Sequence, residues 1–216
     1  MSGKTVKKDS KAKENDQKPI SRRERRVIET RKRIFRTALQ LFSERGFRDT
    51  TIDAIAQEAD IGKSTFFNYF DNKESILLHF REMQMERIKA FVMESMKSDE
   101  PLMNLIYKLA LIMTEEQQKS PAFFHSLMSA SFSSEATRKQ LSEGLIRGRK
   151  MLSELMDIRQ KSGEIRSDIP ACDIAYSLQR VIFGSMLLWS ISPAGALEEQ
   201  LHDIVSMFIK SIEIGS

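Results

Sequence analysis

The sequence predicts an all-α protein on three observations. Apolar residues recur at i, i+3, i+4 and i+7 in one segment after another, helix start and stop residues punctuate those segments, and no strand-like alternation runs long enough to compete. With 216 residues, 41% hydrophobic and 30% charged, the chain suits one medium domain or a small domain fused to a larger one. Charge separates the two parts. The net charge is +4, divided as about +7 over residues 1–73 and about −3 over 74–216, so the amino-terminal part is built to face a polyanion. The expected layout is a basic tail over 1–21, a compact three-helix unit over 22–73 and a larger helical unit over 74–216.

The most informative stretch is 51–73, TIDAIAQEADIGKSTFFNYFDNK. Thr51 is an N-cap, and Ile52, Ile55, Ala56 and Ala59 form one apolar stripe on a helix of two turns. Asp60-Ile61-Gly62 breaks that helix. Ala56 supplies the small residue that two steeply crossing helices need, Asp60 takes the left-handed position that Gly would occupy at less cost, and Gly62 caps the next helix. In that second helix Phe66, Phe67 and Phe70 are spaced for core contact, leaving Lys63, Ser64, Thr65, Asn68 and Tyr69 for another task. This is helix-turn-helix grammar, in which the second helix enters the major groove of DNA.

These residues, from the basic helix before them through Phe70-Asp71-Asn72-Lys73-Glu74, resemble the DNA-binding domain of TetR-family transcription regulators. Two departures stand out: Asp60 replaces the family's usual Gly, and Phe67 replaces a frequent Tyr whose hydroxyl meets a phosphate. The resemblance implies a homodimeric repressor released from a palindromic double-stranded DNA operator by a small ligand. It places Lys63, Ser64, Thr65 and Asn68 nearest base edges, with Tyr69 and Lys73 on phosphates.

In chain order, the Lys-rich tail 1–21 lacks periodicity and reads as disordered, either a phosphate-tracking arm or a solvated extension. From Arg22 an amphipathic helix runs to Gly46. Its start is crowded with cations that include Arg31, and their place beside the helix-turn-helix points to phosphates; Thr51 at the second helix's cap joins the same surface. Asp71 with Glu74 reads as a capping box opening a long helix to about Lys97, whose first turn with Lys73 is suited to one phosphate. That helix leaves one unit for the other and makes a lever.

Beyond residue 98 helices are expected from Pro101, from Ser120-Pro121 and from Ser133 or Ser134 to Lys161, with Gly163 as the stop; two more follow, near 171–190 and 196–213. The first of the last pair is apolar on nearly every face and the second is amphipathic, a pattern suited to pairing with a second copy in a four-helix bundle. On this reading Leu178, Val181, Ile182, Gly184, Ser185 and Leu188 from one helix and Leu201, Val205 and Phe208 from the other form a dimer interface. Every methionine but the initiator lies beyond residue 82, among most of the remaining aromatics. Met113, Phe124, Met128, Met151, Phe183 and Met186 are candidates for the lining of an apolar or amphipathic effector's pocket, with Tyr107 and His125 as polar anchors; each also reads as plain core.

No catalytic residues, metal ligands or cofactors are expected. The chain carries no Gly-rich phosphate loop, nucleophile elbow or Cys/His cluster at metal spacing, and the single Cys172 excludes an internal disulfide. No run of about 18 uninterrupted apolar residues reads as a membrane span, and the expected setting is the cytoplasm. Two alternatives stay open: the same DNA-binding head with a partner-responsive or ligand-independent body, and a helical lipid carrier or enzyme with a basic head.

Overall fold

The structure, a computed structural model, describes residues 21–115, 121–132 and 135–214. Among them the chain forms α1 (Arg22–Arg45), α2 (Ile52–Glu58), α3 (Lys63–Phe67), α4 (Lys73–Ser95), α5 (Leu102–Thr114), α6 (Pro121–Ser131), α7 (Glu135–Lys161), α8 (Ala171–Ile191) and α9 (Leu197–Ile212). The tail before Ser21 and the expected helix starts at Ser120 and at Ser133 or Ser134 lie outside the described residues.

Caps explain most boundaries. Ser21 and Glu24 close a capping box at the start of α1, while Gly46 ends that helix at φ 80°. The α2–α3 turn is a Schellman motif, with Ile61 N donating to Ala56 O (3.0 Å) and Asp60 N to Gln57 O (3.1 Å). Asp60 takes the left-handed position at φ 50°, the one non-glycine among the described residues with positive φ. The start of α4 differs from expectation by one residue. Asn72, not Asp71, is the N-cap, because its side chain reaches Ser75 N at 2.8 Å while the Ser75 hydroxyl returns to Asn72 O at 2.6 Å.

Two cores result, and the first does not stop at residue 73. Ile34, Ala38, Leu41 and Phe42 of α1 pack with Phe47, Ile55, Phe66 and Phe70, then with Ile76, Leu77 and Phe80 of α4 and with Phe123 and Leu127 of α6. Ser126 on α6 is buried and donates to Phe42 O at 3.1 Å. The neighbouring Phe124 faces the other way, into the second core formed by α4, α5 and α7–α9. Thus α6 belongs to both. The expectation that Phe67 joins the head's core is overturned: it is 47% exposed and meets Phe66 edge-on, because Phe66 takes the inward position of so short a helix and Phe70, just beyond its end, takes the next.

In the body, α8 packs chiefly on α7 and α9, and α9 closes over α5. By length and composition α8 could cross a membrane, yet Ile174, Ala175, Leu178, Ile182, Met186 and Trp189 are buried in the body's core. The far end of the body is clasped by Arg159. Its guanidinium pairs with Glu164 (2.9 Å) and donates to Ser95 O (3.2 Å) and Ser98 O (2.7 Å), while the other Glu164 oxygen accepts from Leu102 N at 2.5 Å. Pro101, the N-cap of α5, offers no side-chain acceptor, so Glu164 supplies one from the turn that follows α7.

Candidate nucleic-acid interface and cavity

The helix-turn-helix presents one polar surface. Lys63, Ser64 and Asn68 are exposed on α3, Thr65 and Tyr69 are half-buried beside them, and Thr51 lies exposed at the start of α2, its hydroxyl oxygen accepting from Ala54 N at 3.1 Å. Lys63 Nζ reaches Asp53 Oδ2 at 2.9 Å across the two helices. Both partners are well exposed, so this pair is worth little and yields readily to a phosphate or base. Exposed Phe67 adds an apolar face to the same surface. Arg31 stands over the Phe70 ring, its guanidinium carbon 5.3 Å from the centroid, in a groove between α1 and α4.

Lys73 is a correction. A phosphate contact is expected of it, but its ammonium donates to Phe47 O (2.6 Å), Arg48 O (3.2 Å) and Thr50 O (3.0 Å) and lies 4.5 Å from the centre of the Phe47 ring. An ammonium has three hydrogens, and all three are taken. Lys73 therefore ties the α1–α2 loop to the start of α4 instead of reaching outward. Thr50 helps from beneath, its buried hydroxyl within reach of Leu41 O and Gly46 O at 3.2 and 2.8 Å.

The body holds a cavity of about 410 Å³ between α4, α5, α6, α7 and α8. Met113, Phe124, Met128, Phe183 and Met186 line it, as the sequence suggests. Three other candidates do not. Tyr107 lies at a separate surface groove, where its hydroxyl meets Glu198 Oε1 at 3.0 Å and burial and that carboxylate raise its pKa; His125 is exposed on the outer face of α6; and Met151 packs against the core beside the lining residue Leu152. Sequence reasoning missed Arg81, which also lines the cavity. Its signal was present: Leu77, Arg81, Gln84 and Ile88 fall at i, i+4, i+7 and i+11, the inward stripe of α4.

The interface candidates divide by face. Leu178, Ile182, Leu201 and Val205 are corrected, since each is buried within its own chain on the inward stripes of α8 and α9. Val181, Gly184 and Ser185 are half-buried, Phe208 is half-buried and packed against the body's core, and Leu188 is exposed. Beside them Leu188 is 69%, Ile191 65% and Met207 69% exposed, a concentration of large apolar side chains.

Residues 34–80 match the family model described as bacterial regulatory proteins, tetR family. The head therefore carries a TetR-family DNA-binding domain. This head is 38% identical over 65 residues to the uncharacterized HTH-type transcriptional regulator YerO of Bacillus subtilis, covering 28% of this chain and 22% of that protein. It is 43% identical over 44 residues to the biofilm operon icaADBC HTH-type negative transcriptional regulator IcaR of Staphylococcus aureus, covering 20% and 24%. These alignments thus span under a quarter of each relative's length. The likeness of fold extends through the body: the transcriptional regulator FadR of Bacillus subtilis, solved with stearoyl-CoA, superposes with a TM-score of 0.67 at 18% identity, covering 84% of this chain and 99% of that one.

Proposed function

We infer that this protein is a cytoplasmic repressor of the TetR family that binds a palindromic DNA operator as a homodimer and is released by a small effector held in the body's cavity. The observation that carries the reading is α4. Its first turns lie in the same core as Phe66 of α3, and its later turns form a wall of the cavity, so one helix joins both sites. A ligand that fits the cavity better in one placement of α4 than in another biases the head, whereas equal affinity for both would shift nothing.

The parts are suited to these roles. Lys63, Ser64, Thr65 and Asn68 supply donors and acceptors for base edges, with Tyr69, Thr51 and Arg31 toward phosphates. The exposed apolar side of α8 and α9 fits a second copy, which a two-fold operator requires, and the two recognition helices would then sit about 34 Å apart. A negative regulator among the relatives and an acyl-CoA complex among the structural neighbours agree with repression and with an apolar or amphipathic effector.

Fluorescence anisotropy against a duplex from upstream of the protein's own gene and a scrambled duplex, across a salt series, tests the DNA reading. A preference of about 10³ or more is expected; equal binding to both duplexes would count against recognition of that site. For the dimer, nothing lies within 4 Å of a Cβ placed on Gly184, so Gly184→Leu is accommodated within one chain but obstructs close approach by another. Sedimentation should shift toward monomer, and an unchanged dimer would move the interface elsewhere.

A further inference from the structure

The charge inside the cavity defines its ligand more narrowly. Of the ionised side chains on its lining, Glu82, Glu143 and Arg147 are exposed at the rim, and Glu82 lies beside His79 at 3.9 Å. Gln84 is neutral and engaged, donating to Ile112 O and accepting from Arg87. Gln179 donates to Leu145 O at 2.8 Å. That leaves Arg81 as the charge set back within the wall, with no carboxylate at ion-pair distance among the described residues. Burial alone pulls its pKa down to about 10, so it remains a cation at neutral pH. It makes one hydrogen bond, from Nη2 to Leu127 O at 3.1 Å, and none of its nitrogens is both sealed from open space and unpartnered.

A desolvated guanidinium with spare donors on an otherwise apolar cavity is an incomplete ion pair. Arginine's planar fork matches a carboxylate in two parallel hydrogen bonds, and burial removes the water that would otherwise compete. We propose that the cavity takes an amphipathic acid, its carboxylate paired with Arg81 and its hydrocarbon part lodged among Phe124, Phe183 and Met186. The space, about 410 Å³, falls within the ~300–1,000 Å³ common for small-ligand pockets. This rests on the effector reading above and specifies its chemistry.

The same pairing gives the ligand a route to the head. Leu127 O, the present acceptor of Arg81, belongs to α6, whose Ser126 holds Phe42 O on α1. A carboxylate is a stronger acceptor than a neutral carbonyl, so a bound acid draws the guanidinium into the cavity and releases the α4–α6 tie. An uncharged molecule of the same shape fills the space without breaking that tie.

Isothermal titration calorimetry of the full chain with decanoate and with decan-1-ol tests the proposal, using wild type, Arg81→Gln and Arg81→Lys. Wild type should prefer decanoate at least tenfold, about 1.4 kcal/mol. Arg81→Gln should erase that preference while decanol affinity changes less than threefold, and Arg81→Lys should retain most of it. Equal affinities in wild type, or a preference that survives Arg81→Gln, would overturn the acid assignment while decanol binding keeps the effector cavity. Failure of both probes to bind saturably would overturn both readings. A thermal melt of each variant separates lost pairing from lost fold.

Discussion

Around Phe66 the aromatic rings meet one another, and around Phe183 the same kind of side chain borders a void. In the head Phe42 and Phe47 have ring centroids 5.1 Å apart, Phe66 and Phe70 6.1 Å, and Phe80 and Phe123 5.1 Å. In the body Phe124 and Phe183 meet at 6.0 Å and both face the cavity. A filled core holds α3 in one orientation, which reading base edges demands. On the proposed function, a cavity-lined one leaves apolar surface for an effector to cover. The contrast is therefore between a part that must not adapt and a part that must.

Removing a ring from each side should expose this difference most strongly. Phe66→Ala is expected to cost about 3–5 kcal/mol and to abolish DNA binding, whereas Phe183→Ala should cost about 1 kcal/mol and alter ligand affinity instead. Chemical denaturation of both variants checks the pair; equal losses would erase the distinction. The body is not loose everywhere, and Arg159→Ala should cost about 3–5 kcal/mol because Glu164 keeps its charge in a half-buried clasp without its partner. Within the head, Lys73→Met should lower stability by about 1.5–3 kcal/mol while leaving the salt dependence of DNA binding unchanged at temperatures where the variant is folded. A flatter salt slope would restore the phosphate role. Smallest is Asp60→Gly, which relieves the left-handed strain but loosens the unfolded chain, for a net gain of about 0.5 kcal/mol or less by thermal melt.

The helices were legible because their punctuation is local. Gly46, Gly163, Thr51 and the Asp60-Ile61-Gly62 break act within a few residues of the ends they set. What escaped depends on distance or on facing. Lys73 reaches carbonyls 23 to 26 positions back, and no window along the sequence contains both partners. On α8, apolar all round, periodicity cannot distinguish the side that packs inward, Leu178 and Ile182, from the side left outward at Leu188. Methionine and aromatic content pointed to a cavity and placed Phe124, Phe183 and Met186 on it, but could not separate them from Met151, which is packed. Arg81 was passed over because arginine on a helix ordinarily reads as surface, although its register agreed with the inward stripe.

The double membership of α6 bears on how such proteins can be recombined. A chimera joined after residue 73, the boundary that motif and charge suggest, would graft a head stripped of Ile76, Leu77, Phe80, Phe123 and Leu127, along with the Ser126 bond to Phe42. A transplantable reading head from this chain would have to carry α6 as well, and α6 would bring Phe124, cut to fit the donor's cavity, into a body with a different one. On the proposed function, specificity for DNA and specificity for an effector lie in separate residues, but they cannot be inherited separately without repair at that helix.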